Sequence, residues 1–334
     1  MTAAAKDWRV KVAVQNLVSL LPRPIAFELN ERLVRVVAGT VRERGLGTSR
    51  VLKGLANIRL VQEHAAFRFA NARVLEVGTG WHGIDLMLFS LLGASRITTI
   101  DHAPHLSLEN LRAHVDLVAA EECRAAFEEA GVVPERLSAL IEAARSARTL
   151  AEFLEFLKVR YLTVQSSEYD RLPLDAGSVD FFYSESVLQR IPERHLGALL
   201  KRARELMSPS AVFFHRTDQK DINAQDHLDS TRWHLAYLSY SGFVFNTFLS
   251  SKLNSQNRLR ESDFLDLFNG AGLKVAYVES TVRSSDMERM RGFQVDHRFR
   301  GKALEDLCTI ATKFLGQRGD AVAALSFRRV VSSD

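Results

Sequence analysis

The chain of 334 residues holds only two cysteines, Cys123 and Cys308. They lie far apart in stretches read as helical, which excludes a disulfide framework and a cysteine zinc site and leaves two buried thiols. Long apolar runs are also missing. Lys6, Asp7, Arg9 and Lys11 interrupt the apolar character of the N-terminus, and no uninterrupted run approaches the roughly 20 residues a membrane span needs. A cytoplasmic protein without a membrane span is expected. Charge of one sign is scarce as well: 44 Lys and Arg against 40 Asp and Glu leave a formal charge of +4, although the pI is near 9.1. No lysine or arginine run of the kind that tracks a phosphate backbone is present, so nucleic acid is not expected as a partner. At 46% apolar content the chain can bury a sizeable core.

What is present centres on residues 72–101. An apolar run through Val74, Leu75 and Val77 breaks into Gly78-Thr79-Gly80-Trp81-His82-Gly83, continues as an apolar helical segment, turns at Gly93 and rises again to Ile100. That order is strand, glycine loop, helix, strand. It ends on Asp101, 21 residues after Gly80, where a ribose-binding carboxylate sits in a dinucleotide-type βαβ unit. Glycines at Gly78 and Gly80 leave no Cβ between loop and ligand, and a charged carboxylate can accept ribose hydroxyl bonds worth roughly 1.5 to 3 kcal/mol each. A tight strand-to-helix turn without a ligand is the plain alternative. Against it stands Glu76, an acid inside an apolar strand, which needs a cationic or hydrogen-bonding partner. The loop lacks the lysine of a phosphate-gripping loop, and Trp81 and His82 stand where a pyrophosphate wants small residues.

The pattern Glu-x-Gly-x-Gly at Glu76, Gly78 and Gly80 resembles motif I of the class I S-adenosylmethionine (SAM) dependent methyltransferases. The likeness is strongest over 72–110 and 161–215, and the later chain looks like a bacterial subgroup associated with glycan and other small-molecule pathways. It implies an α/β, Rossmann-like seven-stranded sheet with the last strand antiparallel, a helical N-terminal extension and helical insertions. SAM is then the cofactor and S-adenosylhomocysteine (SAH) its product. By resemblance Glu76, Gly78, Thr79, Gly80, Asp101, His102, Glu168, Tyr169 and Ser184 contact SAM. The loop carrying Glu168 and Tyr169 departs from the family's Asp-Ala-x-x-Leu-Pro by one methylene in its acid, and Gln189-Arg190 stands where relatives often carry Glu-His. The Asn-Pro-Pro-Tyr type tetrapeptide that marks methyltransferases of base amines is absent, which disfavours base methylation.

In chain order, residues 1–70 read as a helical cap over the sheet edge, with helices at 8–21, 28–41 and 57–69; a lid or dimerisation arm is the alternative, and a homodimer is allowed. Residues 71–334 form the methyltransferase domain. A helical insertion at 105–158 exceeds what a crossover needs, and substrate-side insertions are placed at 216–260 and 281–320. Strands are expected at 161–165, 179–183, 211–214 and 273–278, and 321–330 is read as the reversed last strand. His215, Asp218, Asp221, Asp226, His227 and Asp229 crowd the carboxyl end of the fifth strand. Here His215 is the candidate general base, Asp218 its orienting acid and His227 the alternative base. Their spacing fits no standard metal site, and no metal is assigned. The aromatic stretch 233–248, with Tyr237, reads as a substrate floor or as core, and Arg258 and Arg260 at a helix start suggest an acidic partner or ligand group. The expected activity is methyl transfer to a hydroxyl or amine of a small-molecule or glycan-type acceptor. A non-catalytic SAM or SAH binding subunit or sensor is the alternative, with nucleic-acid methylation behind it.

Overall fold

The computed structural model describes residues 8–22, 25, 26, 28–30, 47–224, 232–251, 253, 255–319 and 325–332. One eight-stranded sheet organises them, in the order β3-β2-β1-β4-β5-β7-β6-β8. Its centre is β1 (Arg73–Val77), parallel to β2 (Arg96–Asp101) on one side and to β4 (Val179–Glu185) on the other. β3 (Val159–Thr163) extends the sheet past β2, and β5 (Met207–Asp218) past β4. The order of the strands reverses between β1 and β4, which opens a crevice at their carboxyl ends. Val74, Leu75 and Val77 of β1 and Phe181, Phe182 and Tyr183 of β4 are buried whichever face they take, as parallel strands covered on two faces require.

The two faces carry separate apolar layers. Val74, Phe181, Tyr183, Val212 and Phe214 face α2 (Thr48–Ala65) and α3 (Ile84–Leu91), together with the helices between β2 and β3. Leu75, Val77, Phe182 and Phe213 face α8 (Glu193–Leu206) and α9 (Glu261–Gly270). In α8, Leu196, Leu199, Leu200 and Ala203 recur at helical spacing and are fully buried; each leucine contributes roughly 1.5 to 3 kcal/mol through burial. Gly54 lets α2 approach α3 closely, since a Cβ there would stand 2.6 Å from Leu88 Cδ1. Four helices, α4 (Leu108–Val118), α5 (Arg124–Ala130), α6 (Pro134–Ser146) and α7 (Leu150–Phe156), fill the stretch read as a helical insertion. Ahead of α2 the chain forms α1 (Trp8–Val18).

The C-terminal third corrects the sequence reading. β7 (Ala311–Arg318) runs antiparallel between β5 and β6 (Leu273–Arg283), inside the stretch read as loop and helix. The segment expected to be the reversed strand is instead an eighth strand, β8 (Ser326–Ser332), parallel to β6 at the sheet edge. Gly316 concealed β7: it interrupts the apolar pattern, yet a Cβ there would fall 2.2 Å from the Lys274 carbonyl where the register with β6 shifts between Val275 and Tyr277. Helix α2 starts nine residues before the helix expected at 57–69, and most of the helix expected at 28–41 lies outside the described residues. β5 begins at Met207 rather than after Ser210, with a register irregularity against β4 between Val179 and Phe181.

A third apolar cluster sits beyond the carboxyl ends of β5 and β6 and the amino end of β7, and includes Trp233, Tyr237, Phe245, Val282, Phe299 and Cys308. Between β6 and β7 lie α10 (Ser284–Met290) and α11 (Leu304–Cys308). Among the described residues no helix is long and apolar enough to cross a membrane.

Candidate functional site

The glycine loop leaves β1 at the crevice. Gly78 and Gly80 have φ of 87° and 62°, the left-handed region that L side chains resist. Their surroundings differ. A Cβ on Gly78 would lie 2.1 Å from Val187 Cγ2, so that glycine makes room for the protein itself, whereas a Cβ on Gly80 would meet nothing within 4 Å. At Gly80 the main chain is bare toward the crevice.

Asp101, at the tip of β2, holds this loop: its Oδ2 accepts from Gly80 N at 2.8 Å, and its Oδ1 accepts from His102 N and lies 2.7 Å from His102 Nδ1. Burial pushes the carboxyl up, but His102, His105 and the Gly80 amide outweigh it and keep the group below its ordinary value. Asp101 is therefore an ionised acceptor, and Oδ2 retains capacity for a further donor. Oδ1 is also 3.6 Å from His105 Nε2, and one ligand atom from each of Asp101, His102 and His105 lies within 4.8 Å of the others. That donor set could hold a cation only at the expense of the proton His102 Nδ1 gives to Asp101.

Glu76 supports the loop from beneath and does not line the crevice. Thr99 Oγ1 donates to Glu76 Oε2 at 2.6 Å, so the 2.5 Å contact between Thr79 and Thr99 hydroxyls has Thr79 as its donor. Burial, with the charge of Asp85, raises the Glu76 carboxyl to about 8.

The cavity beside the loop, about 240 Å³, is lined by Gly78 to Gly80, by Asp85 and Glu185, and by Arg50 and Lys53 of α2. Arg50 pairs with Asp85. Glu185 accepts from Lys53 at 2.5 Å, from Asn57 at 3.1 Å and from Arg216 at 3.1 Å. Burial alone would push Glu185 up; Arg216 and Lys53 outweigh it and hold the carboxyl down. Arg50, Lys53 and Asn57 stand at i, i+3 and i+7 on one helix face, a polar stripe that sequence reasoning missed.

Several expected site residues lie elsewhere or serve other ends. Glu168 accepts from Gln165 N at 3.1 Å as part of a capping box, and Tyr169 is buried in the apolar layer with Leu172. Ser184 is fully buried, its Oγ 2.8 Å from His215 Nδ1, and so is withdrawn from the crevice. His215 is fully buried too, packed against Phe182, Phe213 and Phe268, and burial lowers it to about 3. A base must reach its substrate; His215 instead faces the α8 and α9 layer, because β5 alternates and puts Phe214 on the other face. Asp218 does not orient it, meeting the Lys220 amide at 3.1 Å. His227 lies outside the described residues.

Tyr237 and Arg258 are part of the third cluster rather than of a substrate floor. The Tyr237 hydroxyl donates to the Gln219 carbonyl at 2.7 Å. Arg258 donates to the Tyr240 carbonyl and lies over the Phe245 and Phe299 rings at 4.6 and 5.2 Å. Arg260, expected to meet an acid, is fully buried and donates to the carbonyls of Asp306, Leu307 and Thr309 at the end of α11, to Gln219 and to the Tyr237 hydroxyl. Its negative partner is a helix terminus.

A second cavity, about 450 Å³, opens beside the first, and Ser186 lines both. Ser186 has φ of 58°, an unfavourable conformation for serine. Its amide bond to the Arg216 carbonyl at 2.8 Å and the Arg216 guanidinium on its Oγ, also at 2.8 Å, fix it there. This cavity is lined by Gln189, Arg190, Asp218, Lys220, His234 and Arg283, among others. His234 Nε2 lies 2.8 Å from Asp286 Oδ2, and Asp286 Oδ1 accepts from Trp233 Nε1 at 2.6 Å. Sequence reasoning missed the pair because its members are 52 residues apart and Trp233 and His234 sat in an aromatic stretch read as core or floor.

No family model and no curated protein matches the chain. Among solved structures it is similar to an S-adenosylmethionine dependent methyltransferase from Mesorhizobium loti, at 13% identity over 75% of this chain and 93% of that one, TM-score 0.39. It is similar to a SAM-dependent methyltransferase from Methanosarcina mazei, at 12% identity over 78% and 97%, TM-score 0.42. It is also similar to the Burkholderia thailandensis 1,6-didemethyltoxoflavin-N1-methyltransferase, whose structure holds 1,6-didemethyltoxoflavin and SAH, at 12% identity over 80% and 79%, TM-score 0.40.

Proposed function

We propose that the protein is a SAM-dependent methyltransferase acting on a small-molecule acceptor. The observation that carries this reading is Gly80: a loop at the strand-order reversal presents open main chain there and is pinned to an ionised acid on the neighbouring strand. The residues present suit the cofactor. Gly80 leaves room for an adenosyl group against the backbone, and Asp101 Oδ2 can accept from a ribose hydroxyl. The paired charges Arg50 with Asp85 and Lys53 with Glu185 line the neighbouring cavity, where they suit the carboxylate and ammonium of an amino acid. The Glu-x-Gly-x-Gly pattern and the reversed β7 agree with the family that the sequence resembles.

When bound, SAM supplies a methyl group already activated by a sulfonium. The chain's task is then alignment, which can contribute roughly 7 to 11 kcal/mol in favourable cases. Helix α2 places Arg50 and Lys53 at the cavity edge, as a cap over the cofactor mouth. The second cavity, meeting the first at Ser186, is the place for the acceptor; a sensor of SAM or SAH has no need of it.

Calorimetry with SAH tests the reading. Wild type should bind, and Asp101→Asn should bind roughly 10- to 150-fold more weakly, the equivalent of losing one charge-assisted bond of about 1.5 to 3 kcal/mol. No binding to wild type, or wild-type affinity in the variant, would contradict it.

A further inference from the structure

The second cavity has three features that the cofactor does not use. First, Asp286 fixes the tautomer of His234. Burial pushes the Asp286 carboxyl up, but the bonds from His234 and Trp233 outweigh it and keep the group below its ordinary value. An ionised carboxylate only accepts, so Nε2 of His234 carries a proton in either charge state, and the lone pair of the neutral ring lies on Nδ1. Nδ1 has no hydrogen-bond partner among the described residues.

Second, Gln189 is 3% exposed and its side-chain carbonyl oxygen meets no donor among the described residues. A buried acceptor left open in the wall of a cavity is a place for a ligand's donor.

Third, the cavity carries excess positive charge. Arg190, Lys220 and Arg283 line it with Asp218 and Asp221, and Asp221 is already held by Arg232 at 2.9 and 2.6 Å. Arg283 makes no side-chain hydrogen bond or ion pair among the described residues, although its charge acts on Asp286. A planar guanidinium without a partner matches a carboxylate.

We propose that this cavity takes a hydroxylated carboxylic acid, with Arg283 binding the carboxylate and His234 Nδ1 removing the proton of the hydroxyl that receives the methyl group. The inference rests on the methyl-transfer reading and specifies its acceptor. The oxygen–methyl bond forms as the carbon–sulfur bond breaks, the electron pair of that bond stays on sulfur, and the hydroxyl proton goes to Nδ1. Gln189 accepts from a second donor on the acid. A neutral amine would not need the base, and a cationic one would be repelled. A positioned base adds about 10²- to 10⁴-fold for a hydroxyl. Asp286 acts through His234 and is a positioning residue. A volume of about 450 Å³ suits a small organic acid.

The test uses the full chain with SAH or SAM and three acids, 3,4-dihydroxybenzoate, mandelate and quinate, beside 3,4-dihydroxybenzamide and 3,4-diaminobenzoate. With SAH bound, calorimetry should show uptake of at least one acid. Arg283→Gln should weaken that acid tenfold or more without changing SAH affinity, and the uncharged benzamide should bind tenfold more weakly than its acid. With SAM, only the hydroxylated acids should yield SAH. His234→Gln, which can keep the bond to Asp286, should retain both affinities within twofold and lose 100-fold or more in kcat, its residual rate rising with pH as hydroxide replaces the base. Asp286→Asn should shift the pH profile of kcat. Wild type that binds SAH but none of the acids, equal binding of acid and benzamide, methylation of the diamine at the same rate, or kcat within twofold in His234→Gln would overturn the inference and leave the cofactor reading standing. Failure of wild type to bind SAH removes both.

Discussion

Gly78 and Gly80 share a backbone conformation but have opposite surroundings, which separates a structural glycine from a ligand-facing one. Gly78→Ala places a methyl group in the left-handed region, costing roughly 1 to 2 kcal/mol, and drives it to 2.1 Å from Val187 Cγ2, where overpacking adds about 1 to 3 kcal/mol. The expected loss is roughly 2 to 5 kcal/mol. Gly80→Ala pays only the conformational part, roughly 1 to 2 kcal/mol, because nothing lies within 4 Å of its Cβ position. Urea unfolding of the two variants should therefore differ, with Gly78→Ala the less stable. Val187→Ala in the Gly78→Ala background should give a loss smaller than the sum of the singles by at least about 0.5 kcal/mol, since the two side chains share one space. SAH affinity should fall tenfold or more in Gly80→Ala, where the new methyl occupies the open cradle. Equal destabilisation by the two alanines, or SAH binding indifferent to Gly80→Ala, would refute the reasoning.

Arg260→Met should cost at least about 3 kcal/mol in urea unfolding, because it leaves the buried carbonyls of Gln219, Asp306, Leu307 and Thr309 without their donor. Glu76 binds its proton more tightly when folded, up to about 8, so its contribution to stability is full below the unfolded value and fades as pH rises through about 8. Glu76→Gln should accordingly flatten stability between pH 5 and 9, as followed by thermal unfolding. His215 behaves in the opposite sense: burial lowers it to about 3, so its contribution is present above the unfolded value and is lost as pH falls toward about 3. His215→Asn should reduce that acid sensitivity while leaving SAH affinity and the pH profile of turnover unchanged, and a large loss of kcat would restore His215 as the base.

The glycine loop and its acid were legible because they are local. Gly78, Gly80 and Asp101 lie within 24 residues of sequence, and strand, loop, helix and strand follow each other as the hydrophobic pattern indicates. The left half of the sheet could be read for the same reason. The right half could not: β7 contains a glycine demanded by packing against β6, and β8 is an exposed edge with weak patterning. His215 misled because position at the end of a strand says nothing about which face a side chain takes, and one step of alternation sends it into the α8 and α9 layer. His234 meets Arg283 and Asp286, which stand at the end of β6 and just after it, only through the path of the chain between β5 and β6, and 52 residues between His234 and Asp286 leave no spacing to detect. Arg258 and Arg260 looked like ligand groups because cations at a helix start oppose its dipole, yet the backbone of α11 and the aromatic rings of the third cluster satisfy them.

The most direct test of the central claim is a crystal of the protein soaked with SAH. The adenosyl group should lie against the main chain at Gly80, its sugar hydroxyls on Asp101 and its amino acid end between Lys53 and Glu185, with the sulfur directed past Ser186 toward the second cavity. Density for SAH elsewhere on the molecule, or a crevice at Gly80 without ligand at saturating concentration, would contradict the account.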